Sequence, residues 1–160
     1  MFQPLNAKVE PPNYNFSLDT LQDFMPGKPN SELEKKYSKP ELVEDKAGVQ
    51  TLKYYVAQIR YKFPVIVQVK DGIVLDFFAR LPNYFLHDVF FQSLINRHGK
   101  QTGYKKVGEE AVYIWNKPPL KQVYSAACTI TCFPIFYAVF SEGQNTTPLL
   151  QQMKQAAQGK

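Results

Sequence analysis

Two histidines, two cysteines and one tryptophan are all that the 160 residues contain of these types. His87 and His98 are too few for a multi-histidine metal site, since structural and catalytic zinc takes three or four protein ligands. There is no Gly-rich phosphate loop, and no Gly-x-Ser-x-Gly, His-Glu-x-x-His or Cys-x-x-Cys, so the familiar signatures of nucleotide, hydrolase, metalloprotease and thiol-redox chemistry are missing. No cofactor is expected. No stretch reaches the ~18–20 apolar residues of a membrane-spanning helix, and Met1 is followed at once by Gln3, Pro4 and Asn6 rather than by a signal peptide. The expectation is a soluble protein, with peripheral envelope association if a leader was removed and a cytoplasmic setting otherwise. Cys128 and Cys132, placed on one strand, would stand about 13 Å apart at ~3.3 Å per residue. That separation is beyond disulfide reach, so both are expected as small buried side chains on one face.

What is present is a globular balance, 44% hydrophobic and 21% charged residues, which argues against wholesale disorder. Aromatic content reaches 14%, from 12 Phe and 10 Tyr. Rings in such number fill a core, and some Tyr remain for a partner surface. The net charge of +5 is uneven: residues 1–50 carry 6 Lys against 8 acids, which leaves 13 Lys or Arg against 6 acids in residues 51–160. The basic residues are scattered (Lys62, Lys70, Lys100, Lys105, Lys106, Lys117, Lys121), with no stripe to follow a phosphate backbone. Another protein is the expected partner, and nucleic acid is not.

Residues 1–16 carry three prolines without periodicity and read as an extended leader. Ser17 can cap a short helix with Leu18, Leu21 and Phe24 on one side, ended by Pro26-Gly27. A second helix runs from Ser31 to Tyr37, and Pro40 stops it. From Val49 the period is two, with Tyr55, Ala57, Ile59 and Tyr61 alternating with Tyr54, Val56, Gln58 and Arg60. Val65–Val69 and Ile73–Phe78 flank Asp71-Gly72, a strong type I′ hairpin signal because the turn needs positive φ. Residues 84–97 form a helix with a broad apolar stripe, closed at Gly99. Further strands are expected at Tyr104–Val107, Ala111–Trp115, Val123–Cys132 and Pro134–Phe140, before a polar tail over 142–160.

The order of helix, strands and long hairpin occurs twice at a nearly constant spacing. Tyr54-Tyr55-Val56 parallels Tyr113-Ile114-Trp115, Val65–Val69 parallels Cys128–Cys132, and Ile73–Ala79 parallels Ile135–Ser141. The expected modules are residues 17–82 and 83–141. A short helix ending near Lys39-Pro40, followed by strands with a Tyr/Trp-rich segment, resembles the small lipoprotein module of the BamE/SmpA type. Two such modules in tandem are similar to the beta-lactamase inhibitory protein (BLIP) architecture. Ser38 and Gln101 depart from the Gly and Pro usual there. The resemblance implies an α+β fold, a tandem repeat of a helix-plus-antiparallel-sheet module, with helices on one sheet face and the other face free to bind protein.

That second face supplies the candidate site. If Tyr55, Ala57, Ile59 and Tyr61 pack on the helices, then Tyr54, Gln58 and Arg60 point away. On neighbouring strands Gln68, Tyr113, Trp115, Thr129 and Thr131 do likewise, and rings mixed with amides and hydroxyls suit a wet protein-binding face. The expected function is a non-catalytic binding or scaffold protein, inhibitor-like or assembly-factor-like. Two alternatives stand beside it. One is binding of an apolar small molecule between helices and sheet; the other is a small enzyme using His87, Asp76 or the cysteines.

Overall fold

The computed structural model describes residues 15–58, 61–81, 87–128 and 132–141. Three helices, α1 (Asn15–Leu21), α2 (Asn30–Tyr37) and α3 (His87–His98), accompany eight strands. The strands are β1 (Glu41–Lys46), β2 (Val49–Gln58), β3 (Tyr61–Lys70), β4 (Ile73–Arg80), β5 (Gly103–Val107), β6 (Glu110–Lys117), β7 (Leu120–Cys128) and β8 (Cys132–Ser141). All pair antiparallel in one sheet of order β1-β2-β3-β4-β8-β7-β6-β5.

This continuous sheet corrects the expected tandem of helix-plus-sheet modules. Residues Asp76–Arg80 of β4 pair with Phe136–Phe140 of β8, so the two four-stranded meanders meet in a shared ladder. One buried cluster runs through both, joining Leu18, Leu21, Phe24, Leu33, Phe90 and Leu94 to Val65, Phe77, Trp115, Tyr124 and Tyr137. The proposed equivalence of Val65–Val69 with Cys128–Cys132 also fails. The first lies within β3, whereas Cys128 ends β7 and Cys132 begins β8. The two cysteines are cross-strand register partners, not positions four apart on one strand, so strand rise does not hold them apart.

Local sequence explains most elements. Asp71 (φ 54°) and Gly72 (φ 78°) form the tight β3–β4 turn, at the left-handed angles that Asp-Gly tolerates. The chain before α2 is fastened to that turn. Gly27 N–H donates to Val74 O at 2.8 Å, Val74 N–H to Lys28 O at 2.9 Å, and Asn30 N–H to Gly72 O at 2.8 Å. Gly99 (φ 83°) closes α3, its N–H donating to Ile95 O at 2.8 Å.

Alternation divides the sheet residues between two faces. The helix-covered face takes Tyr54, Val56, Phe63, Val65, Val67 and Phe77, continued by Tyr137, Tyr124 and Trp115 through register pairs. The opposite face takes Gln68, Asp76, Phe78, Phe136 and Ala138. Its centre is apolar and buried, a cluster of Ile66, Phe78, Phe136 and Ala138. No helix among the described residues is long and apolar enough to cross a membrane.

Candidate functional site

Of the eight expected site residues, the four whose side chains are described do not form one patch. Tyr54, at 1% exposure, and Trp115, at 0%, are buried on the helix-covered face. This reverses the expected orientation of β2, where Tyr55 and Ala57 face outward instead. Tyr113 shares the helix-covered face, whereas Gln68 lies on the opposite one beside Asp76. Arg60, Thr129 and Thr131 lie outside the described residues, as does the side chain of Gln58.

The buried pair have structural duties. Trp115 Nε1 donates to Gly99 O at 2.8 Å, which ties β6 to the end of α3. The Tyr54 hydroxyl donates to Asn30 Oδ1 at 2.7 Å and fastens the start of α2. Burial, with Glu34 nearby, raises the Tyr54 phenol pKa, so this hydroxyl stays protonated as a donor. Tyr54→Phe is expected to cost about 1 kcal/mol, a typical net hydrogen-bond contribution, read from urea unfolding.

The register instead assembles a row of tyrosines. Tyr104 on β5 opposes Tyr113 on β6, Tyr113 opposes Tyr124 on β7, and Tyr124 opposes Tyr137 on β8. Successive directly opposed positions put rings within contact range on one face. The Tyr104 and Tyr113 centroids are 5.1 Å apart, and those of Tyr113 and Tyr124 are 6.1 Å apart. α3 covers the inner end of the row: Phe90 stacks on Tyr124 at 5.4 Å and His87 at 5.6 Å. The buried hydroxyls are satisfied there. Tyr124 shares a 2.8 Å hydrogen bond with His87 Nδ1, and Tyr137 donates to Gln122 Oε1. Burial lowers the His87 pKa, against the opposing pull of Asp88, and so favours the neutral ring.

At the outer end the cover stops. Phe91 of α3 reaches Tyr113 at 4.4 Å, and Tyr104 beyond it is 54% exposed on the edge strand. Exposed Asp88 lies near Tyr113, and exposed Lys106 shares the face of β5 with Tyr104. The result is a ledge of Tyr104, Tyr113 and Phe91 with a polar rim. Burial, Tyr104 and Asp88 together raise the Tyr113 phenol pKa, so its hydroxyl is a neutral donor-acceptor near pH 7. Sequence reasoning missed Tyr104. The signal was available in the β5–β6 hairpin, since Tyr104 and Tyr113 are equidistant from its Gly108-Glu109 turn.

Of the residues of the enzyme alternative, His87 and Asp76 are not brought together. His87 packs on the helix-covered face and Asp76 lies on the other. The side chains of Cys128 and Cys132 lie outside the described set. Among the described residues, cavities of about 670 and 380 Å³ are lined largely by charged side chains of α2 and its surroundings. Among the described residues no group of His, Cys, Asp and Glu is arranged to hold a metal ion.

No family model and no curated protein matches the chain. Among solved structures, a DUF4309 family protein (YjgB) from Bacillus subtilis aligns with a TM-score of 0.48 at 10% identity, covering 72% of this chain and 79% of that one. A likeness at this level says nothing of what either protein binds.

Proposed function

We propose that this chain is a non-catalytic protein-binding module whose recognition surface is the exposed end of the tyrosine row. The observation that carries the reading is Tyr104, a large ring left 54% exposed while packed at a tilt against a half-buried neighbour. Tyr113 is in turn fixed by Phe91. Rings held in place lose little conformational freedom on binding, and an aromatic centre with a polar rim is the usual make-up of an interaction hot spot. Lys105 and Lys106 on the same strand guard its free edge against simple strand addition. That favours recognition through side chains over extension of the sheet.

The experiment is affinity capture from the native cell extract with wild type and Tyr104→Ala. An exposed ring away from caps and core is expected to change folding stability by no more than about 0.5 kcal/mol. Removal of a hot-spot ring is expected to weaken a specific partner by roughly 30-fold, equivalent to about 2 kcal/mol. Equal capture of the same proteins by both forms contradicts the assignment.

A further inference from the structure

The other half of the sheet carries a site of different chemistry. β1 pairs with β2 only as far as Glu41↔Lys53, so among the described residues the later part of β2 has no strand beyond it. There a cavity of about 670 Å³ opens between that part of β2 and the chain that leaves α2; its wall includes Ser38, Lys39, Lys53, Tyr55 and Lys62. Lys53, Tyr55 and Lys62 share one face of the sheet, because Lys62 is the register partner of Ala57.

The charges on this wall are out of balance. Lys36, also on the wall, is held by Asp23 at 2.6 Å. Lys39, Lys53 and Lys62 have no carboxylate within ion-pair distance among the described residues, and Glu41 is the acid that lines the cavity with them. Lys53 is the decisive member. Only 5% exposed, its ammonium lies 5.3 Å from the centroid of the Tyr55 ring. Lysines are almost never buried without a paired charge, and a ring face offsets only part of the lost hydration.

The backbone adds an independent observation. Ser38 has φ 70° and ψ −179°, a region occupied essentially by glycine alone. Glycine would remove that strain, whereas serine keeps a hydroxyl on the cavity wall beside Lys39. Strained non-glycine residues of this kind gather at ligand sites.

We propose that this cavity binds a small organic phosphate monoester, its dianionic head among Lys39, Lys53, Lys62 and the Ser38 hydroxyl and its body against Tyr55. Three lysine point charges match a dianion better than a single carboxylate. A volume of about 670 Å³ falls in the range of small-molecule sites and exceeds what inorganic phosphate alone fills.

The test is an amide chemical-shift titration of the full chain with phenyl phosphate, with inorganic phosphate and benzoate as comparisons. Saturable shifts are expected at Ser38, Lys53 and Tyr55, with at least tenfold weaker binding of both comparison anions. Lys53→Met and Lys62→Met are each expected to weaken phenyl phosphate at least tenfold; because Lys62 is exposed, its variant keeps the test independent of folding. Ser38→Gly is expected to melt higher than wild type while binding less tightly. Absence of saturable shifts, or unchanged affinity in Lys62→Met, overturns the site. Equal binding of benzoate overturns its phosphate specificity, and equal binding of inorganic phosphate overturns the role of the cavity's apolar wall.

Discussion

Trp115→Ala is expected to lower unfolding stability by about 3–5 kcal/mol, the cost of removing a large aromatic side chain from a close-packed interior. The indole is fully buried, its nearest described ring neighbour is Phe91 at 6.3 Å, and Nε1 donates to Gly99 O. The substitution therefore leaves a cavity and also detaches the end of α3 from β6. A single domain of this size has a total stability of about 5–15 kcal/mol, so the loss is a large share of the whole. Urea unfolding measures it directly. Because Trp115 is the only tryptophan, acrylamide quenching of native fluorescence gives a second reading, with quenching expected to be weak until the chain unfolds. A loss below about 1 kcal/mol, or ready quenching in the native state, would return the ring to the surface where strand alternation first put it.

Asp76→Asn is expected to raise stability at pH 8 and to leave it nearly unchanged at pH 4. Asp76 is 1% exposed on the face of β4 opposite the helices, and burial pushes its carboxyl up to about 7 against the lowering influence of Gln68. Gln68 faces both forms of the group: with its amide nitrogen turned toward Asp76 it donates to the ionised carboxylate at 2.8 and 3.1 Å, and with its oxygen turned there it accepts from the protonated carboxyl. The ordinary value is 3.8, so between about pH 4 and pH 7 the folded chain keeps a proton that the unfolded chain releases. Stability from this group is complete below about pH 4 and is lost as pH rises through 7, a swing on the order of 4 kcal/mol. His98 acts in the opposite sense. Burial, with Lys117 and Arg97 nearby, lowers its pKa to about 4, so its contribution is present above 6.5 and lost on acidification toward 4. Comparing the melting temperatures of wild type and variant at both pH values cancels the histidine and isolates Asp76. Parallel pH profiles for the two proteins would contradict a buried, protonated carboxyl.

Turn chemistry and helix stripes were legible in the sequence, and strand faces were not. Asp71-Gly72, Gly99 and the Leu18, Leu21 and Phe24 spacing each carry a local signal that needs no tertiary information. β2 carries none of that kind. Its run Tyr54-Tyr55-Val56-Ala57 is apolar at both parities, so alternation alone cannot choose the buried set. The choice is made by α2, which places Asn30 against the Tyr54 hydroxyl. β1 escaped notice because Glu41–Lys46 is an edge strand exposed along its whole length, without an apolar face to reveal it. The cysteine reading failed through one missing turn: placing residues 123–132 on a single strand separated two positions that the hairpin sets opposite each other. The tyrosine row required long-range register. Tyr124 and Tyr137 are 13 positions apart, and only the β7–β8 pairing makes them neighbours.

The most direct test of recognition through the ledge is site-specific photo-cross-linking in the native cell. A benzophenone amino acid would be placed at position 104 in one protein and at position 70, exposed on the opposite face, in another. A discrete cross-linked protein adduct is expected from position 104 and not from position 70. The same adduct from both positions, or none from position 104 in protein that is folded and expressed, would contradict it.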